Sequence, residues 1–203
     1  MSFFGNTKTM GLVIIIAGII SLIGGIVAAI TAVMEINGLD NLLPQVLKAI
    51  GALVVGIGLL WCGINIRKAS DGSAALRIFV RVFGLIIIVK AILDLIGVIV
   101  GPEDFTISGT LVAFIIQLII GCLILWVGNK IAGKNKNVLS KILWIILIIA
   151  FIVLAIMELL ALLSLDLNAD GALGLLIVGI CMFIAFLMAL VLCFSPDVKK
   201  AML

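Results

Sequence analysis

Histidine and tyrosine are absent from the 203 residues, and charged side chains make up only 11% of them. Without histidine the chain lacks the commonest general base and the commonest metal ligand; without tyrosine it lacks the phenolic acid. Chemistry would have to rest on a few carboxylates, amines or thiols. The four cysteines, Cys62, Cys122, Cys181 and Cys193, lie in apolar runs with no Cys-x-x-Cys spacing. They read as small buried hydrophobes, and nothing supports a haem, iron–sulfur or zinc site. No nucleophile–base pair suits an intramembrane enzyme, so the chain reads as a non-enzymatic protein without a cofactor.

What is abundant is apolar. Hydrophobic residues make up 66% of the chain and the mean hydropathy is +1.53. A soluble domain is nearer half apolar and a quarter charged. The chain is therefore expected to be an integral membrane protein with the lipid bilayer as its main partner. Its net charge of +3 carries no argument for nucleic acid. The apolar run that ends at Met34 is too long for a signal-peptide core, so a retained helix is expected. The second residue is Ser2 rather than glycine, which gives no myristoylation signal.

Six apolar segments are long enough to cross a bilayer: 10–34, 46–66, 77–100, 108–129, 141–164 and 172–194. None of the connections is long enough for a soluble domain, so 1–203 reads as one unit. Eleven of the 13 basic residues fall on one side of such a bundle. They are Lys8, then Arg67, Lys68, Arg77 and Arg81, then Lys130, Lys134, Lys136 and Lys141, then Lys199 and Lys200. The other side carries Glu35, Asp40, Glu103, Asp104, Asp166 and Asp170, with Lys48 as the base near it. The positive-inside rule then puts both termini in the cytoplasm, in the plasma membrane.

The expected fold is all-α, six transmembrane helices arranged as three hairpin repeats over 10–66, 77–129 and 141–194. The first helices share Ala32-Val-Met-Glu-Ile-Asn-Gly-Leu39, Ala91-Ile-Leu-Asp-Leu-Ile-Gly-Val98 and Ala155-Ile-Met-Glu-Leu-Leu-Ala-Leu162. The second helices of the first two copies share Gly56-x4-Trp61-x-Gly63 and Gly121-x4-Trp126-x-Gly128. Gly11, Gly18 and Gly25 recur at heptad spacing, as do Ala49, Gly56 and Gly63. Small residues on one face let helix backbones approach in lipid, which predicts an antiparallel contact within the first hairpin. The fifth segment has no glycine and is expected to pack more loosely. Trp61, Trp126 and Trp144 read as an interfacial aromatic belt.

The third segment is the anomaly, because Arg81, Lys90 and Asp94 interrupt it. Arg81 belongs to the cytoplasmic basic set. Lys90 and Asp94 are four apart and share a helix face. Lys90 lies ten residues from Val100, about 15 Å along a helix, close to mid-bilayer. Charge at that depth faces a protein interior and carries a partner or a task. Glu158 is the repeat equivalent of Asp94, so Lys90 is expected to bridge the two if the third and fifth helices are neighbours. Glu35 is the third equivalent, placed at the outer headgroup layer. The bland reading of Lys90 and Asp94 is an intrahelical ion pair. The sharper one is a proton- or cation-binding cluster beneath the outer surface. Gln117, Ser21 and Thr31 are the other polar residues at depth. They are too few for a sugar or amino-acid pathway, which leaves a proton, a small ion or a lipid-like solute.

With Gly11-Leu-Val-Ile-Ile-Ile-Ala-Gly-Ile-Ile20 and the glycine-rich hairpins, the chain resembles the HdeD-like family of small six-helix bacterial membrane proteins. The outer proline associated with such repeats has no match here, since the outer turns hold only Pro44 and Pro102. The resemblance implies an envelope or acid-stress role without a catalytic site. The expectation is a structural or stress-related membrane protein acting by helix packing, with a second copy or another membrane protein as candidate partner. The alternative is a small proton- or cation-linked channel or carrier using Lys90, Asp94 and Glu158.

Overall fold

The computed structural model describes residues 6–34, 42–100, 107–130, 138–167 and 172–202. They form α1 (Thr7–Met34), α2 (Leu42–Arg67), α3 (Gly72–Val100), α4 (Ile107–Lys130), α5 (Val138–Leu163), α6 (Ala172–Cys193) and a short α7 (Pro196–Met202). The two prolines among the described residues sit where a helix tolerates them. Pro44 is in the first turn of α2 and Pro196 opens α7, positions whose N–H groups have no intrahelical acceptor.

Four helices contain stretches long and apolar enough to cross a membrane: Thr7–Thr31, Val46–Arg67, Lys141–Leu163 and Ala172–Cys193. In α4 the apolar stretch is Phe114–Gly128. Isoleucines and leucines such as Ile16, Ile23, Ile30, Ile149 and Ile156 cover the outside of the bundle. In water such a surface would be a liability; in lipid it is the expected finish.

We call the end with the α2–α3 turn and α7 the base, and the opposite end the rim. The first hairpin is the tightest contact in the molecule, and its seam is made of the heptad small residues. A Cβ on Gly18 would lie 2.6 Å from the Leu60 nitrogen, and one on Gly63 would lie 2.7 Å from the Gly11 carbonyl oxygen. One on Gly56 would meet Leu22 at 2.7 Å. These backbones touch, as the glycine spacing predicts. Further crossings join α3 to α4 at Gly84 and Gly121, and α1 to α6 at Gly24 and Gly174.

The repeated signatures do not pair in the same register. Gly56 meets Leu22, three residues before Gly25, whereas Gly121 meets Gly84 itself and Ile88 beyond it. The second hairpin is thus slid by one to two turns against the first. Shared sequence shapes each helix face, while the partner's side chains decide where the faces meet.

At the base, capping is explicit. Asp71 Oδ1 accepts from the Ala74 N–H at 2.8 Å and from the Ser73 hydroxyl at 2.8 Å, closing the start of α3. These donors hold the Asp71 carboxyl below its ordinary range. Asp197 of α7 accepts from the Gly72 N–H at 3.2 Å, so α7 folds back onto the same helix start. A Cβ on Gly72 would lie 2.7 Å from the Ser195 hydroxyl oxygen, so a larger residue would have to push that side chain aside.

Trp144 has a role beyond the belt reading. Its indole N–H donates to the Cys193 carbonyl at 2.9 Å, and its ring meets Phe194 edge-on. It ties α5 to the end of α6, where the last carbonyls lack intrahelical donors. Trp61 and Trp126 are exposed on the bundle surface near the base, as an interfacial position requires.

Candidate functional site

The helices are not packed equally tightly. α5 lacks glycine, packs closely only with α6 and has a thin contact with α4. Only 17% of its apolar stretch is buried, against 39–50% for the other three long apolar helices. Toward the base the space between α3, α5 and α6 is filled by phenylalanine. Phe79 and Phe83 stack at 4.1 Å, Phe151 meets Phe79 at 5.7 Å, and Phe186 meets Phe83 at 5.3 Å. All four rings are buried. Toward the rim no such filling exists, and cavities open.

The rim-side cavity, about 210 Å³, is lined by Lys48, Gly51, Ala52 and Val55 of α2, Lys90 and Asp94 of α3, Glu158 and Ala161 of α5, and Val178 and Gly179 of α6. Leu162, Leu165 and Leu175 complete it. Lys90 acts electrostatically on both Asp94 and Glu158, and Lys48 acts on Asp94 from across the cavity. Lys90 thus shares the cavity with both carboxylates, but the expected bridge is not formed: among the described residues no ion pair joins Lys90 to Asp94 or Glu158. Seven residues, two turns, separate Lys90 from Phe83 and Glu158 from Phe151, so the charges lie directly above the aromatic floor.

A second cavity of about 140 Å³ adjoins the first, sharing Lys90, Glu158 and Ala161. Gln117 of α4 lines it together with Ile86, Ile87, Ile120, Leu154, Met157, Met182 and Phe186. Lys90 and Glu158 therefore stand at the boundary between a charged chamber and a mostly apolar one. Gly179 makes the boundary possible: a Cβ there would lie 2.6 Å from Leu162 and 3.2 Å from Glu158 Oε1.

Of the residues singled out in the sequence, Lys90, Asp94, Glu158 and Gln117 are brought together. Glu35 lies outside the described residues. Thr31 is absorbed by its own helix, its hydroxyl donating to the Val27 and Ala28 carbonyls at 3.0 and 3.1 Å. Ser21 is fully buried in the bundle and lines neither cavity. Lys48 is the member that sequence reasoning passed over. Its signal was present, since it is the lone base amid the acids of the outer connections.

The arrangement can bind and hold charge. It offers two ammonium groups and two carboxylates within one small volume, with no nucleophile–base pair. The four cysteines are free, and among the described residues no group of three His, Cys, Asp or Glu is placed to hold a metal ion. Comparison with family models, curated proteins and solved structures finds no match.

Proposed function

We propose that the chain is a non-enzymatic plasma-membrane protein with six spans, α1 to α6, and both termini in the cytoplasm. We further propose that its charged vestibule is the binding centre of a small proton-linked carrier. The observation that carries this reading is the convergence of Lys48, Lys90, Asp94 and Glu158, from three helices, on one cavity. Holding four ionisable groups at membrane depth is costly, and residues kept there usually serve a pathway or a relay. The basic residues near the base and the acids of the rim-side connections support a vestibule that faces outward. The phenylalanine floor makes this a closed-base state. Passage would require α5 to move against α3 and α6, as in carriers that alternate access.

Flux in proteoliposomes under an imposed pH gradient tests the proposal. The unmodified protein should move protons, and Asp94→Asn and Glu158→Gln should each reduce the rate by about a hundredfold, the lower end of what a positioned proton-transfer group contributes. Absence of flux in every variant, the unmodified protein included, overturns the carrier.

One observation favours a second reading, the structural or envelope-stress protein acting by helix packing. Glycine seams hold α1 against both α2 and α6, and the aromatic floor is closed. On this reading the exposed isoleucine faces meet a second copy or another membrane protein. The resemblance to the HdeD-like family fits that role.

A further inference from the structure

The vestibule has a vertical order that a proton relay does not require. Measured from the rim ends of their helices, Asp94 lies six residues down α3 and Glu158 five residues down α5, about 8–9 Å deep. Lys90 lies one turn deeper, about 6 Å. Below Lys90 comes the second cavity, with Ile86, Ile120, Leu154, Met182 and Phe186 on its walls, and the aromatic floor closes it. Lys48, six residues from the rim end of α2, stands level with the carboxylates. From rim to base the walls therefore run from mixed charge through the Lys90 ammonium to hydrocarbon.

We propose that this order recognises a zwitterionic amphiphile of the phosphoethanolamine type. The ligand's ammonium sits between Asp94 and Glu158, its phosphate on Lys90 with Lys48 in reach, and the first few carbons of an acyl chain enter the second cavity. The proposal rests on the vestibule being a binding centre and names the class of solute it takes. The charge balance selects for it. Two ammonium groups and two carboxylates sum to zero, so a zwitterion leaves the site neutral, whereas a lone cation or a lone anion adds a net charge. Lys48, Lys90 and Asp94 are exposed in the open cavity, and a ligand that displaces water from them has to replace that hydration with matched charge. The route in is the weak side of the bundle, where α5 meets α4 only thinly. A lipid of the surrounding leaflet can reach the cavity there without leaving the membrane.

The test is lipid retention by the purified full-length protein, read by native mass spectrometry. The protein is first equilibrated in phosphatidylcholine bilayers containing equal fractions of phosphatidylethanolamine and phosphatidylglycerol. The ethanolamine lipid should be retained about tenfold over the glycerol lipid, equivalent to about 1.4 kcal/mol. That preference should vanish in Lys90→Met and in the Asp94→Asn/Glu158→Gln double variant. Met182→Trp leaves every charge in place and fills the apolar chamber, so it should shed the retained lipid while the thermal midpoint stays close to that of the unmodified protein. Soluble phosphoethanolamine, added as competitor, separates the sources of the headgroup. Displacement assigns the recognition to the headgroup alone; persistence of the adduct assigns it to headgroup and chain together. Equal retention of both lipids, or a preference unchanged in the charge variants and in Met182→Trp, overturns the proposal. With proton flux intact, that result leaves the carrier standing; selective retention without flux removes the carrier and keeps the lipid site.

Discussion

The first hairpin and the α3–α5 gap are built from the same kind of apolar helix, yet one is closed and the other open. Along α1 and α2, Gly11, Gly18, Gly56 and Gly63 bring backbones into contact, leaving no space for a further carbon. Between α3 and α5 glycine is missing on one side, the phenylalanines fill only the base, and the rim half remains a chamber with four charges on its walls. In lipid, helices are drawn together by close packing, because the solvent is as apolar as the side chains. Where small residues run out, separation follows, and only there can ionisable groups be housed. The tight seam thus acts as the frame, and the loose side is where binding is expected.

That contrast can be broken from either end, and the largest effect should come from the aromatic floor. Phe186→Ala removes a buried ring that touches Phe83 and Phe151, at a cost of about 4 kcal/mol by reversible unfolding in bicelles. It should also join the second cavity to the base and raise solvent accessibility at Phe83. Next is the seam. Gly63→Leu should cost about 3 kcal/mol, since its first added carbon already collides with the Gly11 carbonyl. Gly97→Leu is the matched control, for a Cβ at Gly97 meets nothing within 4 Å, and its unfolding midpoint should stay unchanged.

The vestibule should respond more gently. A double-mutant cycle of Lys90→Met with Glu158→Gln should give a coupling energy of about 1 kcal/mol, because both groups face one cavity. A coupling of zero would place them in separate environments.

The charge cluster was partly legible in the sequence. The register Ala-x-x-acid put Asp94 and Glu158 at matching heights, and the four-residue spacing put Lys90 on Asp94's face. Lys48 escaped because its approach depends on how α2 is rotated, and that rotation follows from the seam with α1. The heptad glycines announced the seam itself, since closeness in lipid depends on residue size alone. The pairing register of the second hairpin was not legible. It is decided by whether Leu22 or Ile88 fills the groove over a glycine, and apolar side chains of similar size do not announce that choice. The Trp144 hydrogen bond was not legible because an indole near a helix end has two good uses, a headgroup or an orphan carbonyl, and only the position of α6 supplied the second.

A further effect, of similar size, lies at the base. Asp71→Ala should cost about 1 kcal/mol at neutral pH through loss of the α3 cap. The Asp71 carboxyl is held below its ordinary range, so its stabilisation is full above the unfolded value, about 3.9, and fades as pH falls through the lower folded value. The difference between the unmodified protein and Asp71→Ala should therefore shrink only under strongly acidic conditions.

The most direct test of the proposed outward vestibule is labelling of single cysteines by a membrane-impermeant thiol reagent, with the native cysteines replaced by serine. Asp94→Cys and Glu158→Cys should react from the outer side of right-side-out vesicles, while Ala155→Cys, buried one turn below Glu158, should stay unlabelled from either side. Labelling of Glu158→Cys from the cytoplasmic side alone, or of neither vestibule position, would contradict the account.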